Sequence, residues 1–326
     1  MVGLVAVDRL EIQVLVDNTT DGLSSTPSNV ENEFAFATRR GLRASSGRCL
    51  CCAVHGFSAL LTAVRGDRRH TVLFDSGPED FAFERNCSRL GADLGQVEAI
   101  VLSHGHWDHS GAMFAALGAI RARNGARTVP YYAHPGMFRS RAMRLPNGGL
   151  RYMDDVPGIA DLTAQGADVI NTTEPQTFLD GMFHVSGEIP RVTGFERGLP
   201  GQVRQTEDGS GWEPDELLMD ERWLAVNVAD KGLVVLSACS HAGIVNVLTH
   251  ARDCFAGTPL HAVMGGLHLS GANEAIIPQT VAAMGGFGLS QIAAGHCTGW
   301  RALTALASAF GDKVLAPSAV GKRYTF

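Results

Sequence analysis

The sequence predicts an α/β fold in which two packed mixed β-sheets carry helices on their outer faces, an αβ/βα sandwich. Short apolar stretches typical of buried strands end in histidine-containing turns near residue 103, and again near residues 240, 267 and 295. Helical patterns follow several of these turns. Because neither half contains the whole set of histidines, the two halves must face each other. No stretch of the 326 residues reads as a linker, so we predict a single domain over residues 1–326.

The composition describes an ordinary globular protein. Hydrophobic residues make up 45% of the chain and charged residues 18%, which is enough apolar material for a sizeable core. A net charge of −6 without a basic block argues against nucleic acid and against an anionic membrane surface as partners. No apolar stretch is long enough to span a bilayer, and the first residues lack the basic region of a signal peptide. We therefore expect a cytoplasmic protein that acts on a small molecule, and whether it forms a homodimer is left open.

The first half of the chain contains four predicted strands and a helix. Residues 10–18 alternate apolar and polar side chains, as expected of a half-buried strand. The sequence further predicts a hairpin over 52–64 and 70–74, a helix over 79–91 and a short buried strand over 99–102.

Two features of this half have no assigned role. Residues 19–46 are polar and aperiodic, which suits a functional or partner-facing loop or a disordered surface segment. The chain has seven cysteines, of which Cys49, Cys51 and Cys52 form a cluster. This cluster is either a second metal site or a set of reduced thiols that alternate in a half-buried strand, and the second interpretation is favoured because no paired Cys-Xaa-Xaa-Cys motif exists.

The most informative motif is the stretch Val101–Ala112, VLSHGHWDHSGA. It contains four side chains of metal-ligand type: His104, His106, Asp108 and His109. Ser103 stands where a helix N-cap is expected, and a helical pattern continues over 110–117. Alternate residues of an extended loop point to one side, so the first two histidines can share one cation while Asp108 and His109 serve a second. Imidazole and carboxylate favour zinc and also suit manganese or iron, with one or two ions per chain.

Three buried strands in the second half end in turns of similar character. They are predicted over 233–236, 261–264 and 291–294, and helices follow at 244–251 and 300–310, with a last strand at 313–315. Among the residues in the turns, His241 is the strongest ligand candidate. Cys239 is either a ligand or a small packing residue, and His268 is either a ligand or a proton-handling group.

The middle of the chain offers candidate substrate contacts. His134 follows a strand at 128–133 and either faces substrate or has a structural part. Arg191 is a candidate clamp for phosphate or carboxylate, unless it forms an internal salt bridge with Glu188. Residues 199–214 are polar and glycine-rich, which suits a lid or the rim of a pocket. A basic run is predicted to be a solvated helix face, with an anion-binding role as the alternative: Arg139, Arg141 and Arg144.

Six further motifs accompany this pattern in a fixed order: LFDSG (Leu73–Gly77), YAHPGMF (Tyr132–Phe138), SGEIPR (Ser186–Arg191), CSHAGIVN (Cys239–Asn246), GGLHL (Gly265–Leu269) and HCTG (His296–Gly299). Together with His-Xaa-His-Xaa-Asp-His after a strand, they resemble the metallo-β-lactamase fold superfamily. Within it the chain resembles the branch of 7,8-dihydropterin-6-yl-methyl-4-(β-D-ribofuranosyl)aminobenzene-5′-phosphate synthase-like proteins. The resemblance spans nearly the whole chain and implies the metallo-β-lactamase fold.

The resemblance also implies roles for individual residues. Asp75, a carboxylate at a strand end, would accept a hydrogen bond from a metal-bound histidine and so support it. His296 would be the last ligand and complete the sphere of a second metal with Asp108 and His109. Most superfamily members carry a histidine where this chain has Glu188, which leaves the third ligand of the first metal open. Glu188 can ligate, act as a base or hold Arg191.

These residues predict a metal-dependent hydrolase in which activated water attacks an ester or phosphoester of a small molecule, which is anionic if Arg191 clamps it. Asp108 would orient the nucleophile and also bind a metal. The other catalytic candidates are His268 and Glu188, and the candidates for substrate binding are Arg191 and His134. Asp75 and Cys239 would support the metal ligands. The resemblance implies an alternative, a transferase that joins a pterin methyl unit to an aminobenzene ribosyl phosphate. A second alternative is a binding protein that keeps the metals but only sequesters a ligand.

Overall fold

The structure is a computed structural model that describes residues 3–326. Its strands are β1 (Ala6–Val7), β2 (Arg9–Val16), β3 (Val30–Glu31), β4 (Ser58–Arg65), β5 (Arg68–Phe74), β6 (Val97–Val101), β7 (Val129–Ala133), β8 (Arg141–Arg144), β9 (Leu150–Tyr152), β10 (Ala167–Asn171), β11 (Gln176–Phe178), β12 (Phe183–Val185), β13 (Gln202–Gln205), β14 (Trp212–Pro214), β15 (Leu224–Val228), β16 (Gly232–Ser237), β17 (Leu260–Gly266), β18 (Gln291–Gly295) and β19 (Arg323–Thr325). Its helices are α1 (Glu33–Arg39), α2 (Asp80–Leu90), α3 (Trp107–Ser110), α4 (Met113–Arg121), α5 (Ile159–Ala164), α6 (Ile244–Cys254), α7 (Ile277–Met284) and α8 (Trp300–Phe310). None of these helices has the length and hydrophobicity needed to cross a membrane.

Two large mixed sheets form the middle of the molecule. The eight-stranded sheet has the order β10-β7-β6-β5-β4-β2-β19-β3, and the seven-stranded sheet has the order β11-β12-β15-β16-β17-β18, with β1 paired to β15. Side chains alternate along the strands, so that in β2 Leu10, Ile12 and Val14 enter the core between the sheets while Leu15 points to the helices.

Three hydrophobic clusters define the layers. The central cluster combines residues of both sheets, such as Val72 of β5 and Leu236 of β16. A second cluster packs α2 and α4 against the outer face of the eight-stranded sheet, and a third packs α6, α7 and α8 against the other sheet. This arrangement of helix, sheet, sheet and helix confirms the predicted αβ/βα sandwich.

Parallel strands at the centre of each sheet determine where the polar turns meet. β5, β6 and β7 are parallel neighbours in one sheet, and β16, β17 and β18 are parallel neighbours in the other. Every histidine turn predicted from the sequence follows the carboxyl end of one of these six strands. The turns therefore lie at one edge of the sandwich, where open α/β sheets usually bind ligands.

A small four-stranded sheet, in the order β14-β13-β8-β9, contains part of the basic run and part of the glycine-rich stretch 199–214. The basic run is not a solvated helix face, because Arg141–Arg144 forms β8, and Arg141 is buried between Asp215 and Asp220 at 2.8 Å from each. Residues 199–214 supply β13 and β14, and their role as a lid or pocket rim stays a prediction. Arg139 and Arg141 are paired with carboxylates, whereas Arg144 is exposed.

Other local predictions are wrong for identifiable reasons. Residues 19–46 contain β3 and α1, and α1 is capped by the side chain of Asn32, which accepts from the amide of Ala35 at 2.9 Å. The cysteine cluster precedes β4 instead of lying in a strand, and all seven cysteines are free. Residues 313–315 form no strand, only a bridge between Leu315 and Ile292, and the last strand is β19.

Candidate metal centre

Six buried side chains meet where the two large sheets face each other. They form a first triad of His104, His106 and His241 and a second triad of Asp108, His109 and His296, and within each triad the ligand atoms lie within 4.8 Å of one another. None of the six residues is more than 7% exposed. The structure thus places His241 beside His104 and His106, for which the sequence left the third ligand open. It places His296 beside Asp108 and His109, as the resemblance implied.

The loop after β6 is shaped by its glycine. A side chain at Gly105 would collide with the guanidinium of Arg141, which donates a hydrogen bond of 2.8 Å to the carbonyl of Gly105. The amide of Gly105 donates to the carboxylate of Asp220 at 2.9 Å. The buried ion pair of β8 therefore positions the backbone between His104 and His106.

Ser103 does not cap a helix, because Asp75 engages both its amide and its hydroxyl. The amide and the hydroxyl of Ser103 donate to the carboxylate of Asp75 at 2.8 and 2.7 Å. The hydroxyl has then given away its proton, so it accepts a hydrogen bond from Nδ1 of His104 at 2.9 Å. This assigns the proton of His104 to Nδ1 and leaves a lone pair on Nε2. α3 begins instead at Trp107.

A similar chain of contacts determines which ring nitrogen of His106 carries the proton. Its Nε2 lies 2.7 Å from Oε1 of Gln202, whose amide nitrogen is used to donate to Asp215. The proton of His106 is therefore on Nε2 and the lone pair on Nδ1. This lone pair faces the lone pair on Nε2 of His104 across 3.0 Å. Two lone pairs at this distance repel each other unless a cation lies beside them.

The first triad cannot supply that cation as a proton. Burial lowers the pKa of His106 to about 4 and holds the pKa values of His104 and His241 well below the ordinary range. Both ring nitrogens of His241 are buried without any hydrogen-bond partner. Unpartnered buried polar atoms are costly, and neutral imidazoles with convergent lone pairs are metal ligands. The three residues fit a divalent cation.

The second triad is oriented by two partners outside it. Nδ1 of His109 lies 2.7 Å from Asp75, and Nδ1 of His296 lies 3.0 Å from Oδ1 of Asn18. The amide of Gly56 donates to Oδ1 of Asn18, and Nδ2 of Asn18 donates to the carbonyl of His296, so the orientation of the Asn18 amide is determined. The Nε2 atoms of His109 and His296 then face each other at 3.2 Å.

Charge in the second triad favours a cation. Burial lowers the pKa of His109, but the carboxylates of Asp108 and Asp75 outweigh it and raise this pKa to about 9. Burial would raise the pKa of Asp108, yet the charge of His109 and a hydrogen bond from His55 lower it. One oxygen of Asp108 lies 3.5 Å from Nε2 of His296 and 3.3 Å from Nε2 of His55. A proton on His109 or a metal cation satisfies this arrangement equally.

The turn after β16 is held by a carboxylate. Glu221 is 1% exposed and accepts hydrogen bonds from the amides of His241 and Ala242 at 2.7 and 2.6 Å. Ser240, in the same turn, has a left-handed backbone with φ +57°. Glu221 thereby supports a backbone conformation that residues with a β-carbon adopt rarely.

Three predicted residues lie outside the triads. Glu188 is half-exposed and contacts Nε2 of His134 at 3.3 Å, so it supplies no ligand atom to either triad. The guanidinium of Arg191 donates to the backbone carbonyls of Ile189, Leu217 and Leu218. Within residues 3–326, Arg191 forms no salt bridge with Glu188, so that alternative is wrong.

Cys239 and His268 lie beside the triads. The sulfur of Cys239 is within 4.8 Å of ligand atoms of His104 and His109, and it also approaches Nδ1 of His268 at 4.0 Å. The ring of His268 packs against that of His241 at a tilt of 49°, with centroids 4.1 Å apart. A narrow cavity reaches both histidines and has Arg197 in its wall.

Sequence reasoning missed four residues that position the triads: Asn18, His55, Gln202 and Glu221. Asn18 had a readable signal, because it lies two residues after the carboxyl end of β2, in a polar turn like the one that Asp75 begins after β5. Gln202 and Glu221 lie in stretches without periodicity, and only their tertiary contacts identify them.

The chain resembles known proteins over most of its length. The metallo-β-lactamase superfamily model matches residues 56–192. The 7,8-dihydropterin-6-methyl-4-(β-D-ribofuranosyl)-aminobenzene-5′-phosphate synthase of Methanocaldococcus jannaschii is 28% identical over 250 residues, covering 76% of this chain and 82% of the relative.

Solved structures share the same architecture. Tm1679, a metal-dependent hydrolase of the β-lactamase superfamily, is 22% identical with a TM-score of 0.70, and the match covers 96% of this chain and 98% of that one. Unliganded yeast PDE1 is 10% identical with a TM-score of 0.55 and covers 99% and 100% of the two chains. At these identities the likeness shows the fold.

Proposed function

We propose that this chain, whose residues 56–192 match the metallo-β-lactamase superfamily model, is a metal-dependent hydrolase acting on an ester or phosphoester of a small molecule. The observation that carries the proposal is the pair of facing lone pairs on His104 and His106, 3.0 Å apart, beside the unpartnered ring of His241. Such an arrangement is stable only around a cation, and the donor set favours zinc, with manganese or iron as alternatives.

The two triads would hold two cations. His104, His106 and His241 supply three neutral imidazoles, while the second triad adds the carboxylate of Asp108. A bound divalent cation lowers the pKa of water to about 7 and polarises a carbonyl or phosphoryl oxygen. Asp108 has two oxygens, and the one that contacts His55 is held in place by it. The same oxygen lies 3.5 Å from Nε2 of His296, so it would face a cation in the second triad and help to orient a water there.

The substrate that we propose is small and anionic. Support comes from the phosphate in the printed name of the Methanocaldococcus relative. The recess beside His241 and His268 has both Arg197 and Glu196 in its wall and is too small to hold such a substrate, so it does not by itself favour an anion. Arg191 is a weaker candidate for the anion, because an anion would have to displace its three carbonyl partners.

Metal analysis combined with a hydrolysis screen tests the proposal. Purified protein should contain bound metal, and should turn over one class among phosphodiester, phosphomonoester and lactone reporters. His241→Ala should lose metal and activity together, whereas His261→Ala, at the start of β17 with its ring against Phe326, should retain both. Protein that takes up no metal after reconstitution would refute the assignment. Metal without turnover of any reporter would exclude a general esterase.

A second candidate is a transferase. The relative from Methanocaldococcus is named a synthase, and it matches 76% of this chain. We therefore propose to incubate the metal-loaded protein with 4-(β-D-ribofuranosyl)aminobenzene 5′-phosphate and a 7,8-dihydropterin that carries a leaving group, such as diphosphate, on its 6-methyl carbon. The amine nitrogen would displace that group and lose a proton. A joined product detected by mass spectrometry would favour the transferase. Loaded protein that binds either compound without product would favour a sequestering protein.

A further inference from the structure

Two buried cysteines and a histidine meet at three neighbouring strand ends. Cys239 follows β16, His268 follows β17 and Cys297 follows β18. The two sulfurs are 3.0 Å apart, and Nδ1 of His268 lies 4.0 Å from the sulfur of Cys239. The three donor atoms all lie within 4.8 Å of one another, and the cysteines are 3% and 8% exposed. Donor atoms that follow three neighbouring strands therefore converge here, next to the triads.

The backbone is arranged to permit this approach. A β-carbon at Gly266 would lie 2.5 Å from the sulfur of Cys297 and 2.6 Å from the carbonyl oxygen of Ala238, so only glycine leaves room for the thiol. His268 has a left-handed backbone with φ +46°. Backbone strain of this kind persists where surrounding structure holds it and occurs often at ligand sites.

Neither packing nor a disulfide uses all three side chains. Small buried thiols pack as apolar groups, but packing does not account for a histidine donor beside them. A disulfide requires a sulfur separation of about 2.05 Å, so the pair would have to close by about 1 Å, and His268 would have no part in it.

A metal ion accounts for all three donors. Two thiolates on one tetrahedral zinc lie about 3.8 Å apart, because each bond to sulfur is about 2.3 Å long. The two sulfurs, 3.0 Å apart, would have to separate by about 0.8 Å, and Nδ1 of His268, 4.0 Å from the sulfur of Cys239, would have to approach it by about 0.4 Å. We propose that Cys239, Cys297 and His268 form a third metal site, which takes a thiophilic divalent cation such as zinc. Binding would release both thiol protons.

This site would tie together the loops that carry ligands of the triads. Cys297 directly follows His296, and Cys239 lies two residues before His241. A metal at the thiol site would connect the ends of β16, β17 and β18 covalently. The thiol site would thus hold the three turns together, and it does not depend on the hydrolase proposal.

Cys297 is the diagnostic residue. Cys239 also approaches His104 and His109, so it can serve either the triads or the thiol site. Cys297 belongs to no group other than the one with Cys239 and His268 among the described residues. Loss of a thiolate-metal signal on changing Cys297 is consequently specific to the third site.

The experiment uses cobalt as a spectroscopic probe on reduced, metal-free full-length protein. Thiolate-to-cobalt charge transfer absorbs in the near ultraviolet, whereas imidazole and carboxylate ligands do not produce that band. We expect the band in the natural protein, at about three cobalt ions per chain. Cys297→Ser should remove most of the band and about one ion, and the exposed control Cys254→Ser should behave like the natural protein.

X-ray absorption of the zinc-loaded natural protein makes the test independent of variant folding. Sulfur neighbours at about 2.3 Å, beyond nitrogen and oxygen at about 2.0–2.1 Å, are expected. Absence of these sulfur neighbours would overturn the proposal. So would a cobalt band that persists in Cys297→Ser but disappears in Cys239→Ser. Purified protein in which the thiols of Cys239 and Cys297 are recovered only after reduction would also overturn it. Natural protein that shows a thiolate band but binds only one ion would instead contradict the triads, so the two failures are distinguishable.

Discussion

Replacing Asp75 by asparagine should weaken both triads at once. The Asp75 carboxylate accepts hydrogen bonds from Nδ1 of His109 at 2.7 Å and from the Ser103 hydroxyl at 2.7 Å, and that hydroxyl accepts in turn from His104. In Asp75→Asn, an amide NH2 group replaces one of the accepting oxygens. It faces groups that need an acceptor, so the protons of His109 and His104 are driven towards the nitrogens that face the metals.

The magnitude follows from the role of Asp75. Loss of an outer partner of a metal-binding histidine typically costs 10–100-fold in metal affinity, or about 1.4–2.8 kcal/mol. The direct contact with His109 makes the upper end of that range appropriate for the second triad, and the indirect contact through Ser103 makes the lower end appropriate for the first. Competition with a chromophoric chelator measures both dissociation constants.

Ser103→Ala is the matched variant. It removes only the link between Asp75 and His104 and leaves the contact of Asp75 with His109 in place. We expect one weakened site in Ser103→Ala and two in Asp75→Asn, with unchanged circular dichroism in both. Unchanged affinities in correctly folded Asp75→Asn would refute the tautomer argument.

Two further changes test the surroundings of the site. Arg141→Met leaves the buried carboxylate of Asp220 without its ion-pair partner and Asp215 with only the more distant Arg204. It should lower the free energy of unfolding by about 3–5 kcal/mol in chemical denaturation, whereas the exposed control Arg144→Met should change it by less than about 0.5 kcal/mol. The metal-free protein should lose stability with acid, because burial lowers the pKa of His106 from 6.5 to about 4 and the unfolded chain takes up the proton first. The unfolding free energy should therefore fall between about pH 6.5 and pH 4. His106→Asn should flatten this slope, and an equally steep slope in that variant would contradict the assignment.

Local patterns were sufficient to predict the strands that carry the site. β5, β6, β16, β17 and β18 are short apolar runs followed by polar turns. This pattern is typical of a strand that is buried within a sheet and ends at a turn. The helix predicted over 300–310 coincides with α8 for the same reason. Short or polar strands such as β8, β13 and β14 were missed, because their apolar content is too low to distinguish them from loops.

The sequence by itself determined the sandwich, the order of the histidine turns and the set of histidines at its edge. Only the tertiary structure decided how they group, because the deciding contacts join distant residues: His109 meets His296 across 187 positions, and Asn18 meets His296 across 278. The tertiary structure also shows that the third member of the first triad is His241 and not Glu188. Each imidazole has two nitrogens, and which one faces a metal depends on the partner that the fold brings to the other. That partner is a single buried oxygen on a remote loop, for which no local pattern exists.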